Sequence, residues 1–145
     1  MDVFLAGVIQ GSLVEAAIHE QTWRDQIKAV LDAYMPAANV YCHYTRHPES
    51  LAYDLPQIRQ TFAEGNRRAG ECDLLIAYLP EASMGTAIEM HEAYAHGAAI
   101  VAITSLSANW VIRAYSDRIV PDLTAFQVLV ESGELAGLVA AKRNL

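Results

Sequence analysis

The chain has 145 residues, of which 53% are hydrophobic and 19% are charged, a balance typical of a globular protein with a buried core. Its formal net charge of −7 argues against duplex nucleic acid as a partner, because affinity for duplexes comes largely from Lys and Arg at the phosphates. No apolar run approaches the roughly 20 residues of a membrane span, and the N-terminus lacks the pattern of a secretory signal. Cys42 and Cys72 have neither metal-site nor disulfide-framework spacing, so we expect one cytoplasmic domain over residues 1–145 with no membrane partner.

Short apolar runs alternate with longer stretches of helical spacing along the whole sequence. Apolar strands that are each followed by a helix predict a parallel sheet covered on both faces, here a doubly wound, Rossmann- or flavodoxin-like α/β domain of about five strands. Ligands of such sheets bind beyond the carboxyl ends of the strands, near a switch in strand order. In chain order the predicted elements are strand 3–9, helix 13–34, strand 39–44, helix 56–70, strand 73–79, helix 85–97, strand 98–104, helix 108–116, short segment 118–120 and a mostly helical region 123–141 broken near Gly133.

The turn after the third strand carries most of the chemical information. Small residues at Ser83, Gly85 and Thr86 open a helix whose free backbone amides can receive an anion. Glu89 follows in the first turns of that helix, where the helix dipole favours the ionised carboxylate. An ionised, positioned carboxylate can attack an anomeric carbon and form a covalent glycosyl intermediate. Ordinary helix capping by the same residues is the alternative interpretation.

Three stretches of the sequence together resemble the nucleoside 2-deoxyribosyltransferase family, which includes N-glycosidases that cleave nucleoside 5′-monophosphates. They are residues 4–7 in the first strand (Phe-Leu-Ala-Gly), residues 73–77 in the third (Asp-Leu-Leu-Ile-Ala), and residues 83–89 (Ser-Met-Gly-Thr-Ala-Ile-Glu) with Ala93. The likeness runs from the first strand to about residue 116. Its sharpest element is Gly-Thr-Ala-Ile-Glu, residues 85–89, behind an Asp-led apolar strand.

The resemblance implies a role for each matching position. It implies Glu89 as the nucleophile and a small-molecule nucleoside or nucleotide as the substrate, with no metal or organic cofactor. It also implies a homodimer or higher homo-oligomer, in which Asn109 contributes to the site of a partner subunit. The other interpretation of Asn109 is an N-cap for the following helix. The residues expected to bind the substrate are Gly7, Ile9, Gln10, Gly11, Ser83, Gly85, Thr86 and Asn109.

The sequence departs from the family at its acid/base residue. The family usually carries an Asp about two helical turns before the strand-leading Asp, and counting back from Asp73 finds Gly65 there. Glu64 lies beside it and is the candidate substitute for proton transfer. Asp73 itself is expected to bond local backbone amides.

Several other polar residues have two interpretations each. His43, His47 and Arg46 near the end of the second strand could contact a base or phosphate, or lie in a solvated loop. His91 and His96 are five residues apart, whereas a zinc-protease helix needs a spacing of four, so we expect no metal site there. Four arginines could hold a phosphate or face solvent: Arg24, Arg67, Arg68 and Arg113.

Three functions are compatible with these patterns. The first is an N-glycosidic bond enzyme acting through a covalent glycosyl-Glu89 intermediate, which water or a second base then resolves. The second is a nucleotide-binding or sensor domain of the same fold that has lost turnover, an interpretation supported by Gly65. The third is an unrelated doubly wound domain that acts through protein contacts.

Overall fold

The computed structural model describes residues 1–11, 13–15 and 17–144. Its centre is a five-stranded, all-parallel sheet of order β2-β1-β3-β4-β5, which confirms the predicted fold class. The strands are β1 (Asp2–Gly7), β2 (Asn39–Cys42), β3 (Leu74–Tyr78), β4 (Ala99–Ile103) and β5 (Arg118–Val120). The helices are α1 (Trp23–Tyr34), α2 (His43–Arg46), α3 (Leu55–Glu71), α4 (Met84–Ala95), α5 (Trp110–Tyr115), α6 (Leu123–Glu131) and α7 (Glu134–Arg143), with a 3-10 turn at Ser50–Ala52.

Two hydrophobic layers enclose the sheet, because successive strand residues point to opposite faces. Val3 and Leu5 lie on the face covered by α1, α6 and α7, and Phe126 of α6 is fully buried there. Phe4 and Ala6 lie on the other face, against α3, α4 and α5. The central strands β3 and β4 are therefore apolar throughout, which is why the alternation of apolar runs and helices predicted this architecture.

The main correction concerns the segment between β1 and α1. Helical spacing predicted a helix from residue 13, but α1 begins at Trp23. The described residues between Val8 and Thr22 instead turn across the carboxyl end of β1, with Gly11 at a φ of 56°. The carbonyl of Ile9 accepts a hydrogen bond from the amide of His19 (2.6 Å), and the carbonyl of Val8 accepts one from Gln21 Nε2 (3.0 Å). These bonds satisfy backbone groups that a helix would otherwise have paired internally. Ser12 and Ala16, which belonged to the predicted turn and helix, lie outside the described residues.

Other boundaries differ from the sequence prediction by a few residues. β1 ends at Gly7 and not at Ile9, and β2 ends at Cys42, so Tyr44 lies in the short helix α2. β5 covers the predicted 118–120 segment, and Gly133, at a φ of 80°, separates α6 from α7 as expected.

No single helix in the ranges given above is long and apolar enough to cross a membrane; the bent pair α6–α7 could by length and composition alone. Within that pair, Phe126 and Leu135 are fully buried in the core.

Helix α3 is fixed at its start by a capping box. Asp54 Oδ1 accepts a hydrogen bond from the amide of Gln57 (2.9 Å), and Gln57 Oε1 accepts one from the amide of Asp54 (2.9 Å). Pro56 occupies a position in the first turn where its missing amide costs nothing. The sequence thus defines the beginning of the longest helix in the described chain, and α3 forms a wall of the cavity described below.

We predict that Asp54→Ala lowers the free energy of unfolding by about 1 kcal/mol, because it leaves first-turn amides of α3 without a partner. Chemical denaturation at neutral pH would measure this. Asp32→Ala removes an exposed carboxylate within α1 and is the matched control, for which we expect a change within about 0.5 kcal/mol. Equal losses in the two variants would contradict the capping role.

Candidate active site

A cavity of about 320 Å³ opens at the carboxyl ends of β1 and β3. The chain passes from β1 to β2 on one side of β1 and then to β3 on the other, so this edge is the switch point at which ligands bind in doubly wound sheets. Eight of the ten residues predicted to form the site line it: Gly7, Ile9, Gln10, Gly11, Ser83, Gly85, Thr86 and Glu89.

The floor of the cavity depends on a close approach at Gly7. A Cβ placed on Gly7 would lie 2.7 Å from Trp23 Cζ2 and 2.8 Å from the carbonyl oxygen of Tyr78. Trp23 stacks on the Tyr78 ring at a centroid distance of 4.6 Å. Only glycine therefore allows the tryptophan to pack beneath the end of β1.

The amino end of α4 forms one side of the cavity. Ser83 Oγ accepts a hydrogen bond from the amide of Thr86 (3.3 Å), which is the capping role considered from the sequence. Thr86 is buried, with 1% of its surface exposed. A Cβ on Gly85 would meet only the Phe62 ring of α3, at 3.9 Å. The helix start is thus close-packed on one side and open to the cavity on the other.

Glu89 is half-buried in the second turn of α4 and lines the cavity. Burial raises the pKa of its carboxyl to about 8, and the positive charge of Arg24 opposes that rise only in part. The sequence suggested an ionised carboxylate because of the helix dipole, but the dipole acts mainly within the first turn. Desolvation dominates at this position. The carboxyl is therefore mostly protonated at neutral pH in the unliganded protein.

Arg24 is a buried cation below the site, with 2% of its surface exposed. Its guanidinium donates to Gln21 Oε1 (2.7 Å), to the carbonyl of Leu5 (3.3 Å) and to Cys42 Sγ (3.4 Å). It also lies over the Trp23 ring, 4.2 Å from the centroid. Arg24 does not line the cavity and makes no ion pair with a described carboxylate. It acts on Glu89 through its electric field and is not placed to hold a phosphate.

Gly65 lies in the middle of α3, facing Glu89 and His43. A Cβ built on Gly65 would be 3.8 Å from Glu89 Oε1 and 3.6 Å from His43 Nδ1. Both groups line the cavity. The position that the resemblance assigned to an acid is therefore at the site but provides no side chain, and an imidazole occupies the neighbouring space.

Two predicted site residues are not among those lining the cavity. Glu64 Oε1 accepts from Arg68 Nε (3.1 Å), and this hydrogen bond lowers the pKa of the Glu64 carboxyl. Asn109 is exposed, and its Oδ1 accepts from the amides of Val111 (3.0 Å) and Ile112 (3.4 Å). The structure thus places Glu64 in an ion pair along α3 and Asn109 at the N-cap of α5.

Asp73, His91 and His96 have structural partners away from the cavity. Asp73 Oδ2 accepts from the amide of Asp2 (2.7 Å) at the opposite end of the sheet from the cavity, so its backbone bond is to the neighbouring strand and not to a local amide as expected. His91 Nδ1 contacts the hydroxyl of Tyr115 (3.2 Å), and His96 Nδ1 contacts the carbonyl of Glu92 (2.8 Å). Within the ranges that the structure describes, no group of three His, Cys, Asp or Glu side chains could hold a metal ion.

Most of the cavity wall that sequence reasoning missed comes from α3 and the segment before it. A spacing of three to four residues along α3 could have identified the helical part, since such residues share one face. The additional lining residues are His43, Ser50, Leu51, Tyr53, Ile58, Thr61, Phe62, Gly65 and Asn66. Of these, His43 was a candidate ligand contact from the sequence, and the structure brings it to the site.

Comparison with solved structures identifies proteins of the same fold. A 2-deoxyribosyltransferase from the psychrotolerant bacterium Bacillus psychrosaccharolyticus aligns with a TM-score of 0.65 and 16% identity, covering 88% of this chain and 90% of that one. A conserved protein from Enterococcus faecalis V583 aligns with a TM-score of 0.60 and 16% identity, covering 91% of this chain and 98% of that one. No protein-family model matches the sequence, and neither does any curated protein. At this identity the likeness establishes the doubly wound α/β fold that the chain shares with a 2-deoxyribosyltransferase.

The raised pKa of Glu89 predicts a pH-dependent stability difference between the wild type and Glu89→Gln. Below the ordinary value of 4.5 the carboxyl is protonated in both the folded and the unfolded chain. Between about 4.5 and 8 only the unfolded chain releases the proton, so the stability of the wild type falls as pH rises. Glu89→Gln has no such proton, and we expect its advantage to grow by roughly 2–4 kcal/mol between pH 5 and pH 8.

Urea denaturation of both proteins at a series of pH values would test this difference. Glu49→Gln, which changes an exposed carboxylate outside the cavity, is the control and should keep a constant offset from the wild type. A Glu89→Gln offset that is also constant with pH would show that the carboxyl titrates normally.

Proposed function

We propose that the protein cleaves or transfers the N-glycosidic bond of a nucleoside or nucleoside 5′-monophosphate, with Glu89 as the nucleophile. The observation that carries the proposal is a carboxyl group lining a 320 Å³ cavity at the switch point of the sheet, on the fold of a 2-deoxyribosyltransferase. That volume lies within the range of small-molecule sites. The resemblance of residues 83–89 to the family assigns the attacking carboxylate to the same side chain.

The proposed reaction has two steps. Ionised Glu89 attacks C1′ of the sugar, the bond from C1′ to the base breaks, and a glycosyl ester forms on the carboxylate. Water then attacks C1′ to give the free sugar, or a second base attacks to give a new nucleoside. A protein carboxylate supplies the nucleophile in both outcomes, so the proposed chemistry needs neither a metal nor an organic cofactor.

The charge of the cavity favours a neutral nucleoside over its 5′-monophosphate. No arginine or lysine is among the described residues that line it. Arg67 pairs with Glu71 and Arg68 with Glu64, while Arg24 is buried below the site. The amides at the start of α4 remain as the anion-binding feature. A single helix terminus compensates a doubly charged phosphate only in part, since such interactions contribute about 1 kcal/mol.

We also propose a homodimer or higher homo-oligomer as the working form. Trp110 is 85% exposed at the start of α5, and Val111 beside it is 37% exposed. An aromatic side chain of this size at the surface is typical of a contact between subunits. Neither residue lines the cavity of the single chain.

We predict that the wild type releases free base from at least one nucleoside and that Glu89→Ala lowers this rate by about 10³-fold or more, because the variant lacks the nucleophile. Chromatography of reactions with ribo- and 2′-deoxynucleosides and their 5′-monophosphates, with and without an acceptor base, would measure it. Glu92→Gln, on the same helix but outside the cavity, is the control and should retain activity. Acceptor dependence of product formation would separate transfer from hydrolysis.

A slow 2′-fluoro substrate analogue tests the covalent step directly. Mass spectrometry should find one added glycosyl group on the peptide that contains Glu89, and none on Glu89→Ala. Base release without any trapped adduct would support direct attack by water instead. Absence of base release across the panel, with nucleotides still raising the melting temperature, would support the binding or sensor domain.

We predict that a nucleoside has a kcat/KM at least about tenfold higher than that of its 5′-monophosphate, because the cavity provides no basic side chain to the phosphate. Steady-state kinetics on matched pairs at fixed ionic strength would measure the ratio. A preference for the monophosphate would contradict the charge argument and would place a cation of a second subunit near the 5′ side.

A further inference from the structure

We propose that His43 is the proton-transfer residue of this site, donating a proton to the departing base and then accepting one from the attacking water or incoming base. The inference rests on the proposed glycosidic chemistry. It assigns to an imidazole of α2 a task that the sequence could give only to Glu64. His43 would be a catalytic residue, since it lines the cavity into which Glu89 also opens.

The geometry places His43 beside Glu89 and leaves its ring nitrogen available. His43 Nδ1 and Glu89 Oε1 both lie within 4 Å of the point where a Gly65 Cβ would be. His43 Nδ1 is buried and has no hydrogen-bond partner in the described chain. A buried polar atom without a partner costs free energy. Such an atom is typical of a site in which a bound ligand supplies the missing hydrogen bond.

No other cavity-lining group is as well placed for this task. Among the described lining residues, only Glu89, His43 and Tyr53 carry groups that exchange protons readily. The Tyr53 hydroxyl contacts His47 Nδ1 at 2.9 Å. The Glu64 carboxylate is bound to Arg68 and lies outside the lining. His43 is thus the remaining partner for the proton that Glu89 must lose.

The charges around His43 keep it neutral in the resting protein. Burial, with smaller contributions from the neighbouring His47 and Arg24, lowers its pKa to about 4, while Glu64 opposes them. Glu89 holds its proton up to about pH 8. Between about pH 4 and pH 8 the two groups therefore hold one proton between them, on Glu89, while His43 is neutral.

The proton can be followed through the reaction. On substrate binding it moves from Glu89 to His43, which gives a carboxylate beside an imidazolium. Glu89 attacks C1′, the electron pair of the C1′–N bond goes to the base, and His43 protonates that nitrogen. Water attacks C1′ of the glycosyl ester, His43 takes the proton of water, and the electron pair of the ester bond returns to Glu89. Transfer of the proton from His43 to Glu89 restores the resting state.

The test compares an ordinary purine nucleoside with its N7-methylated form. The methylated base carries a positive charge and leaves as a neutral molecule, so it needs no proton. We expect His43→Gln to lower base release from inosine by about 10²-fold or more, the usual contribution of a general acid. In the first turnover at pH 7, release from 7-methylinosine should fall by about tenfold at most, because only the ionisation of Glu89, whose pKa is about 8, then proceeds without His43. This retained activity also shows that the variant is folded.

The controls separate this inference from the proposed function. His91→Ala, an exposed histidine on α4 outside the cavity, should leave both rates unchanged, and His43→Ala repeats the test with a smaller side chain. Equal losses on both substrates, or no loss on either, would overturn the role of His43 while the glycosidic activity stands. A wild type that releases neither base would overturn the proposed function and this inference together.

The pH dependence of kcat/KM gives a second readout. The groups that face the pair are Arg24 from α1, His47 directly after α2 and Glu64 from α3. With the shared proton, the wild-type rate on inosine should be level from pH 5 to about 7 and fall above about 8. In His43→Gln the residual rate should instead rise towards pH 8, because only ionisation of Glu89 then limits it. The same profile shape in both proteins would overturn the proposal.

Discussion

The buried guanidinium of Arg24 is the constraint on which this end of the molecule depends. It joins α1 to the carboxyl ends of β1 and β2 through hydrogen bonds to the Leu5 carbonyl and to Cys42 Sγ. A buried cation is costly unless nearby groups compensate its charge. The available compensation is the carbonyl and amide oxygens around it and, at longer range, the Glu89 carboxyl, on which it acts electrostatically. Arg24 therefore lowers the pKa of the Glu89 carboxyl against the larger effect of burial, so replacing the arginine would raise that pKa further.

Two glycines, which have no side chain, shape the cavity as much as the side chains that line it. Gly7 lets Trp23 pack beneath the end of β1, where a Cβ would overlap both the indole and the Tyr78 carbonyl. Gly65 has the opposite surroundings, since a Cβ there would have ordinary contacts with His43 and Glu89. Close packing therefore requires glycine at position 7. At position 65 a larger side chain would fit, and glycine leaves that space empty. Space beside two ionisable groups is what a substrate and its leaving group need.

The sequence predicted the sheet because its central strands are buried on both faces, and it placed the turn at residues 83–89 at the site. The prediction was wrong in the segment before α1. The spacing of Leu13 and Ala17 is helical, yet His19 and Gln21 instead bond to the carbonyls of Ile9 and Val8 just after β1. Sequence reasoning also could not show which residues of different elements lie next to each other. Counting along α3 located the missing acid at Gly65, but counting cannot show that His43 of another element lies opposite. The burial of Arg24 and the desolvation that keeps Glu89 protonated are likewise properties of packing.

Glu89 is both poorly solvated and proposed as a nucleophile, and its protonation in the resting protein makes these two properties compatible. A carboxylate in a poorly solvated cavity is a stronger nucleophile than one in water, but the same desolvation raises its pKa and keeps the proton on it at rest. A neighbouring base that accepts this proton only when substrate is bound removes the conflict, because the charge pair then forms around the reacting atoms. Neutral His43 meets that requirement, since it adds no positive charge to a site already influenced by Arg24. An acid at position 65 would instead place a second carboxyl beside Glu89 and raise the free energy of ionising both. The carboxyl–imidazole pair thus provides a nucleophile and a proton donor from one shared proton, without two adjacent negative charges.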